Sequence, residues 1–190
     1  ENAWGAAPAA RGGVLDQLHA MHRYPDPLGG DLKRALAAKH GVDVAQLILG
    51  NGSHELLMQF AQVFAGPGDE VVASQYGFAV YAIATQAVGA TLRAAPALSR
   101  ASSMPRGHDL DALAASIGPR TKLVYLANPN NPTGTWFGID ALDAFLQRVP
   151  REVVVVVDEA YAEFVEGGAT ALSLLASHPN LVIARTFSKA

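Results

Sequence analysis

Cysteine is absent from this 190-residue chain, and charged residues are scarce at 16%. A chain without cysteine has no disulfide framework, thiolate zinc site or cysteine nucleophile, and it suits a reducing compartment such as the cytoplasm. No apolar run approaches the ~20 residues that cross a bilayer. The net charge of −3 offers no basic surplus. We therefore expect neither nucleic acid nor a membrane surface as a partner.

Hydrophobic residues make up 50% of the chain, which is enough for a sizeable buried core. This composition excludes an intrinsically disordered chain and a fibrous repeat. The length suits one large domain or two small ones.

Strand-forming runs alternate with helical patterns along most of the chain. The predicted strands are 46–49, 70–73, 91–94, 122–126, 153–157 and 181–184. The predicted helices are 14–21, 31–40, 53–64, 78–88, 110–117, 139–148 and 171–177. This alternation predicts an α/β fold with a mostly parallel sheet and helices on both faces.

Two segments fall outside the alternation, and two residues indicate helix ends. Residues 1–13 are interpreted as an irregular arm, and residues 97–107 as an exposed loop. Asp31 is predicted to cap the helix 31–40, and Gly41 to end it. We expect the arm and its helices to occupy 1–41 and one α/β domain to occupy 42–190.

Polar residues cluster directly after four of the predicted strands. Ligands bind at the carboxyl ends of strands in a parallel sheet, so the four clusters are expected to converge on one site. They are Gly50-Asn51-Gly52-Ser53-His54-Glu55, Asn128-Pro129-Asn130-Asn131-Pro132-Thr133-Gly134, Asp158-Glu159-Ala160-Tyr161 and Arg185-Thr186-Phe187-Ser188-Lys189.

The first two clusters each allow two interpretations. Backbone N–H groups at the start of the helix after Gly52 would suit a phosphate, or Ser53 would simply cap a strand-to-helix turn. The absence of a following Gly-Lys-Ser/Thr excludes a P-loop. The asparagines of 128–134 would hold an amide in a fixed position, or they would form an ordinary Asn-Pro turn.

The other two clusters hold the ionisable candidates. Asp158 follows a wholly apolar strand, and it could bind a metal, act as a base, hold a protonated ring nitrogen or cap the next turn. Lys189 could form a Schiff base with an aldehyde, or it could be a surface charge. A phosphate site, an acid for a ring nitrogen and a reactive lysine are together what pyridoxal phosphate requires.

The motifs Asn131-Pro132-Thr133-Gly134, Asp158-Glu159-Ala160-Tyr161 and Thr186-Phe187-Ser188-Lys189 resemble, in this order, those of class I/II aminotransferases of pyridoxal-phosphate fold type I. Within that family, segments 23–26, 50–53, 128–134 and 185–190 are most similar to those of histidinol-phosphate aminotransferases. The resemblance extends from Asn2 to Ala190. It implies a large cofactor-binding domain at 42–190, and an N-terminal segment 1–41 that belongs to the small domain and the dimer contact.

The resemblance also implies a role for each matching residue. Lys189 would bind pyridoxal phosphate as a Schiff base and move the proton between the substrate Cα and the cofactor C4′. Asp158 would pair with the pyridine nitrogen, while Asn131 and Tyr161 would bind the phenolic oxygen. Phe78 would stack on the ring, and Asn2 would lie near the substrate. The phosphate would be bound by Gly52, Ser53, His54, Thr186, Ser188 and, from a neighbouring subunit, Tyr24.

The implied reaction moves an amino group between L-histidinol phosphate and 2-oxoglutarate, in a cytoplasmic homodimer of histidine biosynthesis without a metal. The alternatives are an aminotransferase for aromatic amino acids, a decarboxylase of a phosphorylated amino acid and a cofactor-sensing domain that does not catalyse. A nucleotide-binding domain would leave Lys189 and the Asn-Pro cluster unexplained. His54 departs from the family pattern, which has an acidic residue there.

The chain begins at Glu1 rather than Met and stops one residue after Lys189. We expect these ends to be truncated, so that the remaining strands and a C-terminal small domain lie outside this sequence. The resemblance places two substrate-binding arginines in that missing part. The chain alone is therefore expected neither to fold fully nor to turn over substrate.

Overall fold

A computed structural model describes residues 5–165 and 170–189. Its residues fall into two compact units. One unit contains residues 5–50 together with Ser188 and Lys189, and the other contains 51–165 and 170–187. The predicted division of the chain at residue 42 stays a prediction.

The first unit begins with helix α1 (Pro8–Gln17), which continues into a 3-10 helix at Leu18–Ala20. The prediction of an irregular arm over 1–13 is therefore wrong from Pro8 onward. The physical reason is that proline favours the start of a helix, because its backbone dihedral is already helical and the first position needs no N–H donor.

Helix α2 (Gly30–His40) ends as predicted but begins differently. Gly41 closes it in the left-handed conformation, with its N–H donating to the carbonyl of Ala37 at 2.9 Å. The N-cap is Gly29, so the prediction that Asp31 caps the helix is wrong. Asp26 accepts the N–H of Gly30 at 2.7 Å instead, and Asp31 lies in the first turn.

The predicted strand 46–49 is also wrong, since this region contains a 3-10 helix at Val44–Gln46. Asp43 accepts the N–H of Ala45 at 2.8 Å, and the side chain of Gln46 accepts the N–H of Asp43 at 2.9 Å. This capping box stabilises the 3-10 helix, which includes the first residue of the predicted strand.

The second unit is built on a five-stranded, wholly parallel sheet with the order β2-β1-β3-β4-β5. The five other predicted strands are confirmed to within one residue at each end. Their bounds are β1 Glu70–Ser74, β2 Thr91–Ala95, β3 Thr121–Ala127, β4 Val154–Asp158 and β5 Leu181–Ala184.

Helices cover both faces of this sheet, so the predicted fold class is confirmed. They are α3 (Gly52–Phe64), α4 (Ala79–Ala87), α5 (Leu110–Ala115) and α6 (Ile139–Leu146). Alternate residues of β1, β3 and β4 face opposite sides. One set packs in a buried cluster with α5 and α6, and the other packs with α3 and α4.

The connections between these strands and helices include one long loop and one short helix. Residues 97–107 form a turn-rich and mostly exposed loop, as predicted. The helix predicted over 171–177 is instead a short 3-10 helix at Ala171–Leu174, which Thr170 caps. Within the described ranges, no helix has the length and apolar character needed to cross a membrane.

Candidate functional site

The carboxyl ends of three neighbouring strands are in register at one edge of the sheet. Ala127 of β3 pairs with Asp158 of β4, which in turn pairs with Ala184 of β5. The residues that follow these three strands therefore begin at the same level of the sheet. The structure brings the polar clusters 128–134, 158–161 and 185–187 together, as the sequence predicts.

Asp158 ends β4 as a buried carboxylate, 4% exposed. Its Oδ2 accepts the hydroxyl of Tyr81 at 3.2 Å, and its Oδ1 accepts the N–H of Ala160 at 3.3 Å. Burial, and then the negative charge of Asp158, raises the pKa of Tyr81 well above its usual value. The Tyr81 phenol therefore stays protonated and acts as a donor. The sequence reasoning gave Tyr81 no role.

Glu159, the next residue, is 3% exposed and binds three donors. Its carboxylate accepts from the Thr170 hydroxyl at 2.6 Å, the Ala171 N–H at 2.6 Å and the Arg185 Nε at 3.1 Å. Arg185 also lies 3.6 Å from the carboxylate of Glu163. The sequence reasoning missed the Glu159–Arg185 pair, although both residues stood in the clusters it singled out.

Two asparagines shape the loop 128–134. Asn128 exchanges two hydrogen bonds with the backbone of Phe137, donating to its carbonyl at 3.0 Å and accepting its N–H at 3.1 Å. The Asn130 amide donates to the Tyr76 carbonyl at 2.9 Å and to the Thr133 hydroxyl at 2.8 Å. These bonds fix the loop on both sides of Asn131.

Asn131 and Tyr161 are half-buried and line one cleft of about 520 Å³. The exposed side chains of Trp136 and Phe164 contribute aromatic walls to this cleft. An amide and a phenol that share a cleft can both bind one ligand oxygen. The structure thus places in one cleft two residues to which the resemblance assigns the same role.

The first turn of α3 lies beside β5. Gly52 has a φ of +77°, and a Cβ built on it would lie 3.6 Å from the hydroxyl of Thr186. Ser53 is half-buried and His54 is exposed. The N-cap is Asn51, whose backbone N–H is bound by the Glu55 carboxylate, so the alternative in which Ser53 caps the turn is wrong. The first N–H groups of a helix lack intrahelical acceptors and attract anions.

Two aromatic residues follow β1. Phe78 is half-buried, and its ring packs edge-on against Tyr81 with centroids 5.9 Å apart and planes at 89°. Tyr76 is 36% exposed, and the guanidinium carbon of Arg106 lies 5.7 Å from its ring centroid. The stacking role of Phe78 stays a prediction, and Tyr76 is a second ring at this strand end to which the sequence reasoning gave no role.

His108 lies at the same edge, and nothing in the sequence marked it. Its Nε2 donates to the carbonyl of Ala127, the last residue of β3, at 2.9 Å. Burial lowers the pKa of His108 to about 4. The imidazole is therefore neutral near pH 7 and contributes no charge to the site.

Three predicted site residues belong to the first unit. Lys189 is half-buried, Ser188 is exposed and Tyr24 is fully exposed. Their roles stay predictions, while Asn2 lies outside the described residues. No group of three or more potential metal-ligating side chains occurs among the residues that the structure describes.

The model of the family "Aminotransferase class I and II" matches residues 2–190. The chain is 52% identical to histidinol-phosphate aminotransferase 2 of Pseudomonas aeruginosa, over 100% of this chain and 50% of that protein. It resembles the crystal structure of histidinol-phosphate aminotransferase from Sinorhizobium meliloti in complex with pyridoxal-5'-phosphate, with a TM-score of 0.91, 33% identity and coverage of 100% and 50% of the two chains.

A further solved structure shows how widely this fold is shared. L-Threonine-O-3-phosphate decarboxylase from Porphyromonas gingivalis aligns with a TM-score of 0.78 at 23% identity, over 97% of this chain and 52% of that one. At this identity the likeness extends to the fold alone. The chain spans about half the length of the curated relatives it matches.

Proposed function

The chain belongs to the class I and II aminotransferases, and from this membership we propose that the protein is a pyridoxal-phosphate-dependent aminotransferase that moves an amino group between L-histidinol phosphate and 2-oxoglutarate. The observation that carries the proposal is the 52% identity, over the whole chain, to a histidinol-phosphate aminotransferase. The proposal includes a cytoplasmic homodimer that acts in histidine biosynthesis.

The residues at the carboxyl edge of the sheet fit this cofactor. The space beside Gly52, next to the Thr186 hydroxyl and the first N–H groups of α3, has the donors that a phosphate needs. Asn131 and Tyr161 offer an amide and a phenol in one cleft for the phenolic oxygen. Asp158 is a buried carboxylate of the kind that pairs with a protonated ring nitrogen.

Pyridoxal phosphate, when bound, supplies an aldehyde carbon for the amino group and a protonated ring that withdraws electrons from the bonds at that carbon. In the proposed reaction Asp158 holds the proton on the ring nitrogen. Lys189 would hold the cofactor through its aldehyde carbon, and its amine would be the group that moves a proton between the substrate Cα and C4′ of the cofactor.

The other residues bind and orient the cofactor. Gly52, Ser53, His54, Thr186 and Ser188 bind the phosphate, and Tyr24 reaches the phosphate of the neighbouring subunit in the proposed dimer. Phe78 stacks on the ring. By holding the ring and the phosphate in one place, these residues would position the reacting groups for proton transfer.

The cofactor half of the proposal is tested by trapping. The full-length protein is incubated with pyridoxal phosphate, reduced with borohydride and digested, and the modified peptide is identified by mass spectrometry. We expect the label on Lys189, loss of visible absorbance in Lys189→Ala, and retention of both in Lys39→Ala, which changes an exposed lysine of α2. A protein without a bound chromophore contradicts the proposal.

The substrate half is tested by comparing amino donors. We expect a higher kcat/KM with histidinol phosphate than with phenylalanine, with 2-oxoglutarate as acceptor. A preference for phenylalanine would favour the aromatic aminotransferase, and release of CO2 from a phosphorylated amino acid would favour the decarboxylase. Cofactor binding without amino transfer from any donor would favour the sensing domain.

A further inference from the structure

We infer that Tyr81 is a positioning residue, whose phenol holds the Asp158 carboxylate in the orientation that meets the ring nitrogen of the cofactor. The inference rests on the proposed function, because it concerns the ligand that Asp158 binds. Its geometric basis is the 3.2 Å hydrogen bond from the Tyr81 hydroxyl to Oδ2 of Asp158, between α4 and the end of β4. The two residues are 77 positions apart in the chain.

The Tyr81 ring is itself held on two sides. It stacks on the ring of Tyr125 with centroids 4.7 Å apart and planes within 5° of parallel, and Phe78 packs edge-on against it. The side chains of Tyr81 and Tyr125 are fully buried. The Tyr125 hydroxyl donates to the carbonyl of Leu57 in α3 at 2.6 Å, so the stack links α3, β3 and α4. A ring packed in this way has little freedom to rotate, and its hydroxyl stays at one position.

The hydrogen bonds on the carboxylate orient it. Oδ2 accepts from Tyr81 and Oδ1 accepts from the backbone N–H of Ala160, so each oxygen of Asp158 has a fixed donor. Hydrogen bonds to the ionised form of a buried acid favour that form. Because the raised pKa of Tyr81 keeps the phenol neutral, the donor adds no competing charge. These two donors hold the carboxylate in one orientation, in which it would meet a protonated ring nitrogen.

The test compares two tyrosines of the same stack. Tyr81→Phe removes the donor to Asp158 and keeps the ring, whereas Tyr125→Phe removes the donor to Leu57 and keeps the stack. In the full-length protein, we expect Tyr81→Phe to raise the cofactor dissociation constant and to lower kcat, each by about tenfold or more, the factor typical of a hydrogen bond to a charged group. The KM for the amino donor should stay within about twofold. Tyr125→Phe should leave the cofactor dissociation constant, kcat and KM all within about twofold of the wild-type values.

A double-mutant cycle separates positioning from folding. If Tyr81 acts through Asp158, adding Tyr81→Phe to Asp158→Asn has little further effect on cofactor affinity or kcat. The cycle remains informative even if the Tyr81→Phe protein folds poorly. Asn at 158 removes the buried charge that has lost its donor, so the double variant can still be compared with Asp158→Asn.

Each outcome has a distinct meaning. If wild type binds the cofactor but Tyr81→Phe and Tyr125→Phe behave alike, the positioning role is overturned. The positioning role is also overturned if Tyr81→Phe lowers cofactor affinity and kcat equally in the wild-type protein and in Asp158→Asn. If wild-type protein binds no pyridoxal phosphate, the proposed function itself fails, which is a different result.

Discussion

The Nε–H of Arg185 donates to the carboxylate of Glu159 at 3.1 Å and so joins the residues that directly follow β5 and β4. Glu159 is 3% exposed and also accepts from Thr170 and the backbone of Ala171. One buried acid therefore ties down the segment that leads to Thr186 and the segment that follows Asp158. This gives Glu159 a structural function next to the site.

Replacing Glu159 with glutamine should destabilise the protein. The amide keeps one acceptor oxygen but places an NH2 group opposite buried donors, which costs about 1–3 kcal/mol. The measurement is urea unfolding of the full-length protein. Glu163→Gln is the matched control, because Glu163 is half-exposed and 3.6 Å from Arg185, so its loss should cost at most about 1 kcal/mol. Equal losses in the two variants would contradict this account.

Asn128→Ala should lower cofactor affinity as well as stability. The change removes both hydrogen bonds to Phe137 that hold the loop carrying Asn131, at a cost of about 1–3 kcal/mol. Cofactor affinity is measured by absorbance titration, and stability by urea unfolding.

Asn180→Ala is the control for the loop prediction. The Asn180 amide donates to the carbonyls of Pro150 and Val153, before β4 and thus at the opposite end of the strands. We expect a comparable loss of stability with unchanged cofactor affinity. A similar loss of affinity in both variants would show that general stability, rather than the Asn128 loop, governs binding.

Gly52→Ala should weaken both the start of α3 and phosphate binding. A side chain at a φ of +77° costs about 1–2 kcal/mol, although the added methyl would meet Thr186 only at an ordinary 3.6 Å. We expect lower stability in urea and a higher dissociation constant for pyridoxal phosphate.

Gly138→Ala provides the comparison, since Gly138 precedes α6 at a φ of −75° with no atom within 4 Å of an added Cβ. It should leave cofactor affinity unchanged, with only the modest loss of stability that alanine causes at the N-cap of α6. Wild-type affinity in Gly52→Ala would refute the role of Gly52 in the phosphate site.

His108 should make the protein less stable as the pH falls from about 6.5 to about 4. Burial lowers its pKa in the folded state from 6.5 to about 4, so the unfolded state binds the proton more readily in this window. The stabilisation is complete above pH 6.5 and is lost as the pH falls towards 4, and its full size is about 3 kcal/mol.

The measurement is the free energy of unfolding between pH 4 and pH 7. His108→Gln, which can still donate to the Ala127 carbonyl, should flatten this pH dependence, whereas His22→Gln in an exposed segment should not. If the free energy of unfolding of His108→Gln depends on pH as steeply as that of wild type, His108 is not the source of the pH dependence.

Two of the failed local predictions share a cause. Residues 46–49 look like a strand by composition, but the side chains of Asp43 and Gln46 satisfy the backbone of the preceding turn and a 3-10 helix forms there. Residues 171–177 have a helical pattern, yet only Ala171–Leu174 are helical, and they form a 3-10 helix. In short segments, hydrogen bonds from single side chains outweigh the average preference of the residues.

The sequence by itself determined the fold class and, to within one residue at each end, the bounds of the five strands of the second unit. The spacing of apolar residues and the positions of turn residues are local signals of secondary structure. Apolar strands that alternate with helices allow few chain topologies. The tertiary structure alone decided which side chains meet the buried carboxylates of Asp158 and Glu159. Tyr81 reaches Asp158 across 77 positions, and Arg185 reaches Glu159 across 26. Such pairs depend on strand order and register, which bring distant residues together only once the core has packed.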